Sequence, residues 1–411
     1  MGMIAAVSHP INPVLAFVIV MAVWTVSDFV AKKTRSLLSS LFVASIIFLI
    51  GFLTGLFPHD LLSASSLLAL AGVVVGFIIV HLGTMISLDE FKQQWRTFLI
   101  GVSAVVGIGV ALYLASLIFG GSISESAKHG YAHSRDFVIA GTGALSGGTI
   151  SVVMVQEAAL GVGLTALAVF PVLIAAIQGL FGFPLTSIIL KSEAARLKAE
   201  YRAGTLTPTE TLEEEKAEVS RLPAALTTTA GTLFVVGLVV LLSIGINDLT
   251  DGILNTFVVA LLLGIAIRAF KIFKPSVLTG IDSLGLMMIA IMILIFGPLA
   301  TITPSDLSSL AKPLAIAFAF GIVGIVVSTS LVGKLLGYTI PMSIAIGLTA
   351  LYGFPGTMVL SQEAARGAGE SPEEILAIEH EILPKMIVAG FSTVTITSVI
   401  VTSILVGHIG N

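Results

Sequence analysis

GTGALSGGTISVVMVQEAALGVG (Gly141 to Gly163) and GLTALYGFPGTMVLSQEAARGAG (Gly347 to Gly369) lie 206 residues apart and, aligned without gaps, agree at eleven of 23 positions. Each has a glycine-rich centre, SGGT (Ser146 to Thr149) or YGFPGT (Tyr352 to Thr357), followed by Gln156-Glu157-Ala158-Ala159 or Gln362-Glu363-Ala364-Ala365. One element is used twice, and the fold is built around the pair. Weaker matches extend the repeat, with Gly51 on Gly264, Phe57 on Phe270 and, after a short insertion around SPEEILA, Pro171 on Pro384.

The solvent for this repeat is lipid. Of 411 residues 56% are hydrophobic and 11% charged, too few polar groups to cover a water-soluble surface. Apolar runs of roughly 18 to 24 residues, enough to cross about 30 Å of hydrocarbon, recur along the chain. Ten spans are expected, at about 11–31, 37–57, 66–86, 97–119, 164–190, 225–246, 253–270, 280–302, 313–333 and 384–406. The first run is followed rather than preceded by basic residues and reads as a retained span, not a secretory signal. There is no cysteine, so thiolate metal sites and disulfides are excluded.

The two quoted stretches either cross once as broken helices or enter and return as hairpins. The positive-inside rule separates these options. With both re-entrant and the N-terminus outside, only Lys128, Arg135 and Lys312 fall outside, leaving 17 of the 20 basic residues within. A full crossing by the first stretch would move the basic segment 191–221 outside and destroy the bias. The expected fold is therefore all-α and polytopic, with ten transmembrane helices and two hairpins. A first inverted repeat covers 1–190 (hairpin 137–160) and a second 223–411 (hairpin 342–366). Between them 191–222 is a cytoplasmic linker, with an amphipathic helix over Ser192 to Arg202 at the membrane surface. Both termini lie outside a cell (inner or plasma) membrane.

Helix breaks inside a bilayer expose backbone polar groups, which are tolerated where protein or a wet cavity satisfies them. Gly147, Gly148, Gly353 and Gly356 permit tight turns and close approach of a ligand, and Pro355 ends the incoming arm. The returning arms begin near Thr149 and Gly356, and two helix N-termini aimed at the midplane favour an anion. Candidate substrate-binding residues are thus Ser146, Gly147, Gly148, Thr149, Tyr352, Gly353, Pro355, Gly356 and Thr357. The hydroxyls of Thr142, Ser151 and Thr349, with neighbouring carbonyls, suit a dehydrated sodium ion. Glu157 and Glu363, with Gln156 and Gln362, are candidates for ion coupling, or for structural hydrogen bonds to the end of a neighbouring helix. His81 reads as a hydrogen-bonded packing residue, and Asp282 as lining a cavity or reaching the interface.

The chain has no Walker loop, H-E-x-x-H or G-x-S-x-G elbow, so an enzyme is not expected, and no basic patch points to nucleic acid. The expectation is a secondary transporter for a small organic anion, with sodium as the coupling ion and no other cofactor or metal. The alternative is a cation/proton antiporter or ion channel using Glu157 and Glu363.

Two inverted five-span halves, each with a glycine-rich hairpin before its last span, together with SGGT and YGFPGT at the hairpin tips, resemble the glutamate:sodium symporter family and its relatives among the 2-hydroxycarboxylate transporters. The resemblance implies a homodimer, sodium symport of glutamate or another carboxylate, and an elevator motion in which the hairpins and neighbouring spans slide past a fixed scaffold.

Overall fold

A computed structural model describes residues 11–410 except 36, 87, 89–91, 93, 127–133, 207–221, 224–225, 251–253, 255, 275, 280 and 282. Asp282 and residues 207–221 of the expected linker thus lie outside the described residues. Among those described, the chain is helical throughout with no strand. Eight helical segments are at least 18 residues long and apolar enough to cross a membrane, which makes this a multi-pass membrane protein.

The helices are α1 (Pro13–Lys33), α2 (Ser40–Leu53), α3 (Leu67–Met85), α4 (Trp95–Ser126), α5 (Ser134–Leu145), α6 (Thr149–Gly161) and α7 (Thr165–Arg202), then α8 (Thr229–Leu249), α9 (Thr256–Ala269), α10 (Leu284–Phe296), α11 (Ala311–Leu335), α12 (Ile340–Leu348), α13 (Gly356–Ala368), α14 (Pro372–Phe391) and α15 (Ser398–Val406). Their starts follow local chemistry. Asn12 caps α1 through Val14 N–H and Leu15 N–H, with Pro13 in the first turn. Ser39, Thr228, Thr339 and Ser371 cap α2, α8, α12 and α14 in the same manner. All ten expected spans have a helix. However, α2 and α9 have 14 residues each, about 21 Å at 1.5 Å per residue, and are too short to cross untilted hydrocarbon alone.

The expected surface helix at Ser192 to Arg202 is instead the uninterrupted end of α7, a helix of 38 residues. Nothing between Leu190 and Arg202 breaks a helix, and the segment is rich in Ala, Glu, Lys and Arg. Gly204, at φ +69°, ends it in the left-handed conformation.

Two groups of helices result. In one, α3 packs on α8, α9 and α10, and α1 packs on α2. In the other, α4 crosses α11 while α5, α6, α7 and α12 to α15 surround them. Glycine sets the closest crossings, since without a large hydrophobic driving force membrane helices gain by approaching closely. A Cβ on Gly107 would lie 2.5 Å from Gly324 O and one on Gly324 2.3 Å from Gly107 O, so α4 and α11 meet backbone to backbone. Gly83 of α3 and Gly264 of α9 meet in the same way. His81 Nδ1 accepts from Leu278 N–H at 3.2 Å and is buried, a packing role.

Candidate functional site

The two repeated stretches both fold as helix, break, helix. In the first, α5 ends at Leu145, Gly147 takes φ +81°, and α6 starts at Thr149. In the second, α12 passes into a 3₁₀ turn at Thr349–Leu351, Gly353 takes φ +58°, and α13 starts at Gly356. The ends of each unit come together. Gly410 N–H donates to Asp136 Oδ1 at the start of α5 (3.0 Å), and a Cβ on Gly410 would sit 3.2 Å from Val162, just past α6. At the second unit, Thr339 Oγ1, capping α12, donates to Glu193 Oε2 (2.8 Å). Glu370, just past α13, accepts from Lys198 (2.6 Å) and Arg202 (2.8 Å). All three partners, Glu193, Lys198 and Arg202, lie on the C-terminal end of α7, whose N-terminal end follows α6.

The tips meet. A Cβ on Gly147 would lie 2.1 Å from Ala350 O and 3.0 Å from Val394 Cγ2; one on Gly353 would also lie 3.0 Å from Val394 Cγ2; one on Gly148 would lie 2.4 Å from Val394 O and 2.5 Å from Ser398 Oγ. Val394 belongs to a π-helical turn, Ser392–Thr397, that joins α14 to α15. Such turns loosen the hydrogen-bond ladder and recur at functional sites. Sequence reasoning passed over this turn, although STVTITS, a hydroxyl-rich run inside the last apolar span, marks it. The offset of 213 that sets Pro171 on Pro384 also sets Pro184, inside the continuous helix α7, on Thr397 of the π turn. Beside Pro184, α7 holds the second tip: Tyr352 OH donates to Thr186 Oγ1 (3.0 Å), its ring centroid is 5.4 Å from that of Phe183, and Gly182 abuts Leu351 and Tyr352.

The candidate hydroxyls divide sharply. Thr142 donates to Val138 O (2.7 Å), Ser146 to Gly143 O (2.9 Å) and Thr349 to Ile346 O (2.6 Å), so all three are occupied within their own turns. Thr149 is exposed at the first position of α6. Ser151 Oγ and Thr357 Oγ1 are fully buried and have no hydrogen-bond partner. They are 206 residues apart and occupy the same place in the repeat. Thr397 Oγ1, in the π turn, is likewise buried and unpartnered. An orphan buried hydroxyl costs about 1–3 kcal/mol, and Ser187 Oγ and Thr402 Oγ1 are buried without partners as well.

The helix starts differ as well. Thr357 N–H bonds Gly353 O (3.1 Å) and Met358 N–H bonds Pro355 O (3.1 Å), which closes the first turn of α13. In α6 the first such bond is Val152 N–H to Gly148 O (3.0 Å), and Gly148 provides no side-chain cap. Among the described residues the N–H groups of Thr149, Ile150 and Ser151 have no backbone acceptor. Ile150 of that turn also lines a cleft of about 990 Å³ between α3 and α8.

The twin acids have parted company. Glu363 Oε1 accepts from Ser40 N–H (3.0 Å) and Ser40 Oγ at the N-terminus of α2, a favourable place for a carboxylate. Gln362 donates to Glu379 Oε1 of α14 (3.1 Å). Glu157 is exposed on α6 with no ion-pair or hydrogen-bond partner among the described residues, and Gln156 is half-buried with no side-chain hydrogen bond among them. Neither acid reaches the tips. Removing the Glu363 acceptor leaves the Ser40 N–H unmet, so Glu363→Ala should lower the melting temperature and Glu363→Gln, which keeps an acceptor, should lower it much less; thermal unfolding of the two variants checks this.

The clasp at the end of α7 has a pH signature. Hydrogen bonds from Lys198 and then Arg202 hold the Glu370 carboxyl at about 2, below its ordinary 4.5. A depressed carboxyl contributes stability that is present above 4.5 and lost as pH falls through about 2. The melting-temperature gap between wild type and Glu370→Gln should therefore be open at pH 6 and close on acidification from 4.5 toward 2; being exposed, the clasp should also weaken in high salt. A gap that does not change with pH would exclude this role.

No family model matches the chain, and no curated protein matches it in sequence.

Proposed function

We propose that the chain is a secondary active transporter, not an enzyme, that carries a small organic anion through the junction of the two tips. The observation that carries this is the pair Ser151 and Thr357: equivalent hydroxyls of a repeated element, both buried without partners, at the starts of two helices that meet at Val394. We read the two units as re-entrant hairpins, since the ends of each gather at one place: the first near Gly410, the second at the far end of α7. Hairpins entering from opposite faces make the halves an inverted repeat, and the reuse of packing supports this. α4 lies on α5 as α11 lies on α12, and α6 on α7 as α13 on α14. With the basic loops inside, both termini are outside the cell membrane.

The carried anion is a carboxylate, glutamate among the candidates, moved with sodium. The helix start at Thr149 to Ser151 has N–H groups to meet a carboxylate, and Ser151, Thr357 and Thr397 supply the oxygens for a cation. An elevator motion and a homodimer complete the proposal, by the resemblance to the glutamate:sodium symporters. Without a nucleotide-binding motif, work must come from an ion gradient.

Thermal unfolding of the purified protein in sodium and in potassium, crossed with glutamate, citrate and malate, tests it. A ligand that binds only the folded state raises the melting temperature. A sodium-dependent rise enlarged by a carboxylate is expected. A response to pH alone, together with loss of all flux in Glu157→Gln/Glu363→Gln, would replace the proposal with a cation/proton antiporter.

A further inference from the structure

Helix α7 meets both repeated units, and a glutamine stands where it passes from one to the other. α5 and α7 begin at the same end of the first unit and run parallel, with the rings of Phe137 and Phe170 5.6 Å apart. Eight residues further along each helix, about 12 Å at 1.5 Å per residue, stand Leu145, the last residue of α5, and Gln178. One turn beyond Gln178, a Cβ on Gly182 would lie 2.7 Å from Tyr352 and 2.9 Å from Leu351, at the second tip. Gln178 is thus level with the junction of the two tips. It is 6% exposed, and its carboxamide oxygen is buried without a hydrogen-bond partner. An unmet amide inside a membrane span is costly and calls for a use. Two turns on, Thr186 is met by Tyr352 OH, and the unpartnered hydroxyl of Ser187 lies instead in a pocket with Lys191 and Glu363.

The repeat places Gln178 independently. The offset of 213 sets Gln178 on Phe391, and the offset of 206 sets Gly148 on Phe354. Phe354 and Phe391 stack, with ring centroids 5.7 Å apart and planes at 18°. In the second half, therefore, the tip and the last span close on each other through two rings. In the first half the tip has no side chain at that position, and Val394 O and Ser398 Oγ of the other half cover it. Gln178 is left without the ring that its counterpart stacks on, and with an open acceptor in its place.

We propose that Gln178 binds the carried anion: its carboxamide oxygen accepts from an O–H or N–H of that molecule, and so separates acids that bear such a donor from acids that lack one. This rests on the transporter reading above and adds the residue that selects within it. A neutral amide suits the task, because it bonds a donor without repelling a carboxylate.

The full chain in lipid nanodiscs is titrated calorimetrically in sodium with matched acids: malate and succinate, glutamate and glutarate, 3-hydroxybutanoate and butanoate. In whichever pair binds, the donor-bearing acid should have a Kd at least tenfold below that of its partner. Gln178→Leu should bring the two within about twofold by weakening the first, while the melting temperature of the unliganded protein holds or rises. Gln178→Met, as long as glutamine but without the amide, preserves the test if the leucine variant misfolds. Gln178→Phe, which gives the first half the residue of the second, should abolish binding of both acids. Equal affinities within every pair in the wild type would overturn the proposal while the transporter reading stood. So would a preference that survives in Gln178→Leu and Gln178→Met; joined to a lowered melting temperature, it would make Gln178 a structural residue only. If no acid binds and none raises the melting temperature in sodium, both readings fall.

Discussion

On the transporter reading, Ser151→Ala combined with Thr357→Val should lower uptake by the reconstituted protein at least a hundredfold, while its melting temperature should hold or rise. Both hydroxyl oxygens are buried without partners, so the unliganded fold bears the desolvation of two polar groups for no bond in return. Deleting Ser151 Oγ and replacing Thr357 Oγ1 by a methyl of similar shape removes that penalty, worth about 1 kcal/mol or more per group. A core hydroxyl with a purely structural role would give the opposite stability result. A ligand group gives gain of stability with loss of transport, the usual trade at a site built to hold something else. Uptake into proteoliposomes and thermal unfolding of the same preparations decide the matter. Wild-type uptake in the double variant would remove the tips as the site. Thr142→Val, by contrast, loses a bond to Val138 O within its own helix and should leave uptake near wild type.

Gly147→Ala has the second largest expected effect, and here stability and transport fall together. The residue sits at φ +81°, which costs an L side chain roughly 1–2 kcal/mol. Its Cβ would also lie 2.1 Å from Ala350 O, a backbone atom of the other tip that cannot rotate away. The first tip must withdraw from the second, opening the junction at Val394. Gly161→Ala, on the same unit at the end of α6, meets nothing within 4 Å and takes no positive φ, so it should leave both quantities unchanged. Comparing the two variants separates the demand for glycine at the turn from any general intolerance of the unit. A Gly147→Ala protein with wild-type melting temperature and uptake would mean that the tips do not need to touch.

Composition and the order of residues determined much of this protein. An apolar fraction of 56% commits the chain to lipid, and the repeat of Gly141 to Gly163 at Gly347 to Gly369 locates the helix breaks at Gly147 and Gly353, because a backbone that must turn with positive φ selects glycine locally. The spans could likewise be read from run length, although α7 runs twelve residues past the expected end at 190, to Arg202, and α14 starts twelve before the expected 384, at Pro372. What could not be read was which polar groups would find partners. Thr142 and Ser151 look alike in sequence, yet one hydroxyl bonds its own helix and the other bonds nothing; Glu157 and Glu363 are repeat equivalents, yet only the second caps another helix, through Ser40, 323 positions away in the chain. Those outcomes depend on neighbours brought in from distant segments. The same holds for Val394: the hydroxyl-rich run around it marks a weak point in the last span, but only the packing of α4, α14, α15 and the 3₁₀ turn Thr349–Leu351 around the π turn makes it the point on which both tips close.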